Sequence, residues 1–247
     1  MAGHSHSANI AVRKGKQDVA RAKLFSKLSR YIIIAARNGG GDPDTNLRLR
    51  YAIVKARAVS MPRDNIERAV KKGTGELEGE TLVEVSYEGY APGGVAILVE
   101  GTTDSRNRTS GEVRSTIEKA GGSLGTPGCV AYLFDRKGLI VIDAKKYSDE
   151  DAVMTAALEA GADDFQKADD VYELTTDPTQ FSAVLEAITK AGFETVEAEV
   201  KNLAKTYVDV DVEAGKKIIR LIELLDSNDD VSNVYTNANL TDAMMAD

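Results

Sequence analysis

Apolar residues recur every three or four positions from residue 17 to residue 72, which is the spacing of one face of an α-helix. Glycine and proline interrupt this pattern twice, so it predicts three amphipathic helices joined by short connections. Helices of this kind bury their apolar faces by packing into a small bundle. The predicted inward residues, helix by helix, are Leu24, Phe25, Leu28, Ile32 and Ala35, then Leu47, Tyr51, Val54 and Ala58, then Ile66, Ala69 and Val70.

Capping residues and helix breakers set the predicted helix boundaries. The run 39–43, which reads GGGDP, ends the first helix. Thr45 or Asn46 can cap the second helix, because their side-chain oxygens accept hydrogen bonds from the first free amides. Pro62 suits the first turn of the third helix, and Gly73 and Gly75 end it.

Beyond the bundle the apolar period changes to two, which is typical of β-strands. Two strands are predicted on either side of a turn at Ala91–Gly94. Asp104 or Ser105 begins a helix that ends at the glycine pair 121–122. We expect another strand from Cys129 to Phe134.

A self-contained unit follows between residues 136 and 203. Its predicted elements are strand 139–142, helix 149–160, strands 164–166 and 171–174, helix 178–191 and strand 193–200. This βαββαβ order is the ferredoxin-like pattern. The strand, helix and strand that come next cannot fold alone. We therefore predict a multidomain α+β fold with a helical domain (1–79), a discontinuous α+β domain (80–135 and 204–240) and an inserted ferredoxin-like domain (136–203).

The charges are distributed unevenly along the chain, whose net charge is -8. Residues 1–75 contain 16 Lys and Arg against 5 Asp and Glu, whereas the remaining residues contain 15 against 34. A basic first third joined to an acidic remainder is typical of a chain with one polyanion-binding module. The alternative is an ordinary solvated surface. We favour the first interpretation, because so few acidic residues are available nearby to pair with the cations.

The basic residues of the N-terminal arm and the helical domain are the candidate phosphate contacts. An arm leading into a helix with one cationic face can follow a nucleic-acid backbone. Arg106 and Arg108 form a second patch at a strand-to-helix junction, where helix-end amides can add donors for an anion. Lys55, Arg57, Lys71 and Lys72 extend the positive charge. The predicted nucleic-acid-binding residues are Arg13, Lys14, Lys16, Arg21, Lys23, Lys27, Arg30, Arg37, Arg48, Arg50, Arg63, Arg68, Arg106 and Arg108.

Other chemistry finds little support in the sequence. Cys129 is the single cysteine, so a disulfide framework is excluded and a reducing, cytoplasmic compartment is expected. No phosphate-binding glycine loop is present, and both histidines lie in the N-terminal tail. We therefore expect no enzyme activity, no cofactor, no membrane segment and no structural metal site. After loss of Met1, His4 has the position from which a chain terminus can chelate Cu(II) or Ni(II), and this is a separate hypothesis.

Several longer motifs occur along the chain, namely Met1–Ser5, Asn9–Ile10, Arg13–Asp18, Gly39–Pro43, Met61–Ala69, Tyr87–Tyr90, Pro92–Gly94, Thr103–Asp104 and Arg106–Thr109. Together they resemble the YebC/PmpR family, which includes a mitochondrial translational activator. The resemblance covers essentially the whole chain. It implies a helical domain followed by two α+β domains, and a function in transcriptional regulation through DNA or in translation on ribosomes.

The leading hypothesis is a DNA-binding transcriptional regulator. The alternative is a ribosome-associated translation factor that binds ribosomal or transfer RNA. A third hypothesis is a pure protein-interaction module. We expect a monomer, with the acidic α+β domains as the candidate site for a protein partner.

Overall fold

The computed structural model describes residues 19–79 and 81–245, and it has a mixed α+β architecture. The helices α1 to α8 span, in chain order, Val19–Gly39, Leu47–Ala58, Arg63–Thr74, Arg106–Lys119, Glu150–Ala160, Phe181–Lys190, Val212–Asp226 and Asp242–Met245. The strands β1 to β10 span Val83–Ala91, Val95–Thr103, Ser123–Leu124, Phe134–Asp143, Asp164–Ala168, Val171–Thr176, Thr195–Ala204, Val208–Asp209, Val231–Thr236 and Ala238–Asn239. No helix among the described residues is long and apolar enough to cross a membrane.

The described chain divides into two compact units. Unit I contains residues 19–130 and 216–234, and unit II contains residues 131–215 and 235–245. In unit I, α1 packs against α2 and α3, and the sheet has the strand order β3-β1-β2-β9. Strands β1 and β2 form an antiparallel hairpin whose register runs from Val83 opposite Thr103 to Ala91 opposite Val95. The predicted turn between them lies at Pro92–Gly94, where Gly93 and Gly94 both have a positive φ (83° and 75°).

Asn46 closes the connection between α1 and α2, as predicted. Its Oδ1 accepts a hydrogen bond from the amide of Leu49 at 3.1 Å, which caps α2. Its Nδ2 donates to the carbonyl oxygens of Ala35 and Gly40, both at 2.8 Å. One buried side chain therefore forms hydrogen bonds with a free amide at the start of α2 and with free carbonyl oxygens at the end of α1.

The apolar face predicted for α2 is wrong. The buried residues of α2 are Leu49, Ala52, Ile53 and Ala56, whereas Val54 is 52% exposed. Both sets follow the helical period, but the buried set brings two small alanines to the interface, where they permit close helix approach. The prediction for α1 also fails at one position, since Leu24 is 38% exposed, while the rest of that face and the face of α3 pack into the bundle core.

The strand predicted from Cys129 to Phe134 is also wrong, because the chain forms a loop and a 3₁₀ turn before β4 begins at Phe134. The carboxylate of Glu88 accepts hydrogen bonds from the amides of Gly128 (2.7 Å) and Val130 (2.8 Å). The phenol of Tyr90 donates to the carbonyl oxygen of Cys129 at 3.1 Å. These loop groups are therefore held by side chains of β1 instead of joining a strand ladder.

Unit II contains a four-stranded sheet with the order β5-β6-β4-β7, in which every neighbouring pair is antiparallel. Helix α5 connects β4 to β5, and α6 connects β6 to β7. Fully buried side chains on the central strand β4, among them Leu139, Ile140 and Ile142, form its core. Two-residue strands β8 and β10 pair with each other in parallel.

Candidate nucleic-acid interface

The predicted phosphate-binding residues fall into three groups in the structure. Arg13, Lys14 and Lys16 lie outside the described residues, and so does the side chain of Arg21. A second group is engaged in contacts within unit I. A third group is exposed on the helical bundle and at the start of α4.

Three cations on one face of α1 donate to backbone carbonyl oxygens of unit I, and two of them donate to the end of α7. The ammonium group of Lys23 donates to the carbonyl oxygen of Ser227 at 3.1 Å, and that of Lys27 donates to the carbonyl oxygen of Asp226 at 2.5 Å. Arg30 donates to one carbonyl oxygen of β2 and to one in the loop that follows α7. The last carbonyls of a helix lack partners within the helix and carry partial negative charge, so cations stabilise them. These three residues therefore stabilise the packing of α1 inside unit I.

Asp230 is the acceptor on which two predicted phosphate contacts converge. Its side chain is only 4% exposed and forms ion pairs with Arg30 and Arg108. Thr109 donates to the same carboxylate at 2.6 Å, and Thr103 donates at 3.1 Å. Burial alone would raise the pKa of Asp230, but these hydrogen bonds outweigh it and hold the pKa well below the usual range. The hydrogen bond to Asp230, followed by one to Asp104, raises the pKa of Arg108.

Arg37 and Arg48 join the helical bundle to the first strand. Arg37 donates to the carbonyl oxygen of Leu82, immediately before β1. Arg48 forms a two-pronged ion pair with Glu84 and lies 5.3 Å from the centre of the Tyr31 ring. The hydrogen bond with Glu84 is the main reason that the pKa of Arg48 is raised. A planar guanidinium suits this geometry, because it can pair with a carboxylate and stack on an aromatic ring together.

Arg50 and Arg63 have local partners. Arg50 donates to the carbonyl oxygens of Pro43 (2.9 Å) and Asp44 (2.8 Å), so it fastens the loop that precedes its own helix. Arg63 pairs with Glu67 one turn later on α3, but its side chain is 87% exposed. An exposed pair of this kind is weak and exchanges readily. Arg63 therefore remains accessible to a phosphate, whereas Arg50 is partly committed.

The exposed side of α3 carries cations whose side chains have few contacts with other residues. Arg68, Lys71 and Lys72 fall within about 100° of one another around the helix axis, on the side opposite Ile66 and Ala69. All three are exposed and have no ion pair or side-chain hydrogen bond with a described residue. We call Arg68, Lys71 and Lys72 the α3 cationic face. Sequence reasoning included Arg68 among the binding residues but left Lys71 and Lys72 in the surrounding charge.

Arg106 and Arg108 separate in the structure although they are two positions apart. Arg108 turns toward Asp230 and Asp104, whereas the side chain of Arg106 is exposed at the first position of α4. The Tyr87 phenol lies 3.4 Å from the carbonyl oxygen of Arg106. Burial raises the pKa of Tyr87, the charge of Asp230 raises it further, and Arg106 opposes them. Only Arg106 of the predicted pair is thus available to bind an anion.

Asp230 is the residue that sequence reasoning missed. The partners of its side chain lie 121 to 200 positions away in the chain, so no local motif marks it. The described residues also contain no group of three or more His, Cys, Asp or Glu side chains placed to hold a metal ion. Cys129 is an ordinary thiol whose pKa is raised, mainly by burial and then by the charge of Glu88.

Comparison with known proteins places the chain among close relatives. A family model described as the TACO1/YebC protein N-terminal domain matches residues 5–76, and one described as the TACO1/YebC second and third domain matches residues 82–238. A "probable transcriptional regulatory protein" of Desulfatibacillum aliphaticivorans is 52% identical over 98% of both chains. One of the same description from Clostridium novyi is 50% identical over 96% of this chain and 97% of its own length.

A solved structure is similar as well. The crystal structure of a conserved hypothetical protein from Aquifex aeolicus matches with a TM-score of 0.85 and 47% sequence identity. The match covers 96% of this chain and 98% of that chain. The α+β architecture is therefore shared with an experimentally determined structure over nearly the full length.

Proposed function

The chain belongs to the TACO1/YebC family, and on that premise we propose that it is a regulator of gene expression that binds nucleic acid and has no catalytic role. The relatives carry the description "probable transcriptional regulatory protein", which supports the regulatory part of the proposal. The cations of unit I support the binding part. Duplex DNA is the leading target in this proposal.

The observation that carries the proposal is the α3 cationic face. Arg68 stands three and four positions before Lys71 and Lys72, so the three side chains are neighbours on one helix surface. Two acidic residues lie near this face: Asp64 is one turn before Arg68, and Glu67, which pairs with Arg63, is one turn before Lys71. Three uncommitted cations at this spacing can neutralise adjacent phosphates and release their counterions.

The existing contacts of each cation support a distinction between cations that bind nucleic acid and cations that stabilise the fold. Lys23, Lys27 and Arg30 already donate to acceptors of unit I, so a phosphate would have to compete with those contacts. We therefore assign nucleic-acid contacts to the α3 cationic face, to Arg63, to Arg106 and to the basic arm that contains Lys14.

A salt-series titration tests this assignment. The variant Arg68→Gln/Lys71→Gln/Lys72→Gln should bind duplex DNA more weakly at every salt concentration. Each lost phosphate contact lowers the slope of log K against log salt by about 0.9 for duplex DNA, so three lost contacts should lower it by about 2 to 3. The matched control is Lys23→Gln/Lys27→Gln, which removes two cations from unit I. Its salt slope should stay within about 0.5 of the wild-type slope, and equal slope losses in both variants would refute the assignment.

The same titration must include structured RNA and ribosomes. Phosphate contacts position a protein but carry no sequence information, and a cationic helix face serves RNA as well as DNA. Tight ribosome binding with weak, steeply salt-dependent DNA binding would contradict the DNA-binding hypothesis. It would favour the alternative, a translation factor that binds ribosomal or transfer RNA. Lys14→Glu/Lys16→Glu tests the N-terminal arm separately in each titration.

The domain organisation is also part of the proposal. We infer a helical domain at 1–79, a discontinuous α+β domain at 80–135 and 204–240, and an inserted ferredoxin-like domain at 136–203. The strand order β5-β6-β4-β7 supports the last assignment, because the first strand of a ferredoxin-like sheet lies between the third and the fourth. A fragment of residues 136–203 that folds cooperatively alone would bear this out, and one that stays unfolded would count against it.

A further inference from the structure

An open groove runs between α4 and the C-terminal half of α7, both within unit I. Its volume is about 860 Å³. Gly111, Ser115 and Thr116 of α4 form one wall, and Leu221 and Leu224 of α7 form the other. The first wall is low because its side chains are small. Neither the α3 cationic face nor Arg106 contributes to this groove.

Gly111 is the most informative residue of the low wall. It lies in the interior of α4, where glycine is a poorer helix former than any residue except proline. A Cβ added there would meet nothing within 4 Å, so packing inside the protein does not require the glycine. A missing side chain at this point instead lets another chain approach the helix backbone closely.

The opposite wall presents apolar surface. Leu224 is 50% exposed, although Leu221 and Leu225 on the same helix are almost fully buried. Leu224 therefore supplies the exposed apolar surface of this wall, and Leu221 and Leu225 lie buried beneath it. The groove therefore offers a binding position for an apolar side chain beside the shallow wall at Gly111.

The charges around the groove have one dominant sign. Lys119, Lys217 and Arg220 line it, and Lys119 and Arg220 have no ion pair or side-chain hydrogen bond with a described residue. Glu112 is the acidic lining residue, and its carboxylate accepts a hydrogen bond from the side-chain amide of Asn228 at 2.7 Å. The groove thus combines an apolar centre with a cationic rim.

We propose that this groove binds a segment of a partner protein that carries an apolar stripe flanked by Asp and Glu. The apolar stripe would contact Leu224 and the backbone near Gly111, and the acidic side chains would pair with Lys119 and Arg220. A nucleic acid fits less well, because no aromatic side chain lines the groove on which a base could stack. The proposal concerns residues distinct from those of the nucleic-acid interface and does not depend on it.

Synthetic amphipathic peptides of about 16 residues test the groove. Three peptides share one leucine stripe and differ in having Glu, Gln or Lys on the polar face. Fluorescence anisotropy with the full-length protein should show the Glu peptide binding at least about tenfold more tightly than the Lys peptide. The variants Gly111→Leu, which fills the groove, and Leu224→Gln, which removes its apolar contact, should each weaken the Glu peptide by about tenfold or more.

Val54→Gln is the matched control, because Val54 is an equally exposed apolar residue on α2. The Val54→Gln protein should bind the Glu peptide with the same affinity as the wild type. Leucine is a better helix former than glycine, so Gly111→Leu should keep the helical circular dichroism of the wild type. A single-stranded RNA that competes for the groove and loses affinity in Leu224→Gln would overturn the proposal. So would equal affinity for the Glu and Lys peptides, failure of every peptide to bind, or self-association of the protein that Gly111→Leu abolishes.

Discussion

Replacing Asp230 by asparagine should release α1 from the rest of unit I. The substitution keeps the volume but removes the charge that pairs with Arg30 and Arg108. It also places an amide NH₂ group among donors. Removing one partner of a buried ion pair costs about 3 to 5 kcal/mol. Since the side chains of Arg30 and Arg108 are 20% and 45% exposed, both can be partly rehydrated, and we expect a loss of about 3 kcal/mol, at the lower end of that range.

Hydrogen exchange of the α1 amides measures this loss where it should occur. A loss of about 3 kcal/mol raises the equilibrium constant for local opening about 100-fold, since each 1.4 kcal/mol is a factor of ten. Amides of β4 and β6 in unit II should exchange as in the wild type. Asp229→Asn is the control, because that neighbouring side chain is exposed and its carboxylate has no partner among the described residues. A change below about 0.5 kcal/mol in Asp230→Asn, which is the usual limit for surface substitutions, would refute the reasoning.

The stability difference between the wild type and Asp230→Asn should also depend on pH, in a direction that the pKa of Asp230 determines. The pKa of Asp230 is lowered in the folded state, so its contribution to stability is present above the pKa of an unfolded aspartate, about 3.9. That contribution is lost as the pH falls from this value through the folded pKa. The stability difference between wild type and Asp230→Asn should therefore be constant above about pH 5 and should shrink below about pH 4.

Further substitutions test the packing of both units. Gly138→Ala should lower the stability of unit II by about 1 to 3 kcal/mol in thermal unfolding, because the new Cβ would lie 2.5 Å from a ring carbon of Phe181. Gly111→Ala is its counterpart in open space and should raise the stability by about 0.5 to 1 kcal/mol. Glu88→Gln should loosen the loop that it holds and lower the pKa of the Cys129 thiol, so modification by Ellman's reagent should be about threefold faster or more. An unchanged rate would show that the loop keeps its conformation without the Glu88 charge.

Much of the chain's secondary structure could be predicted because it depends on local residues. Asn46 caps α2, and Gly75 ends α3 with the positive φ that glycine tolerates, whereas Gly73, the other predicted end of α3, lies buried inside the helix. The apolar face of α2 could not be chosen in the same way, because the segment LRLRYAIVKARA contains two stripes with helical spacing. Only the neighbouring helices decide between them, and they select the stripe that contains Leu49 and Ile53.

The number of acidic residues near a basic segment does not predict which of its cations are free. We inferred that the cations of the first third were free because few acidic residues lie near them in sequence. In the structure, Lys23, Lys27 and Arg37 donate to backbone carbonyls, which no count of Asp and Glu includes. Arg30 and Arg48 pair with carboxylates of the acidic remainder of the chain.

An excess of basic residues in one segment therefore has two physical meanings that composition cannot separate. It provides donors for an external polyanion, and it provides donors for unpaired carbonyls and distant carboxylates of the same chain. Exposure and existing partners distinguish the two, because a cation that already donates to a buried acceptor must lose that bond before it binds a phosphate. By this criterion Arg68, Lys71 and Lys72 are better candidates than the more numerous cations of α1. This assignment requires two results together. The salt slope must be lower in Arg68→Gln/Lys71→Gln/Lys72→Gln, and it must be unchanged in Lys23→Gln/Lys27→Gln.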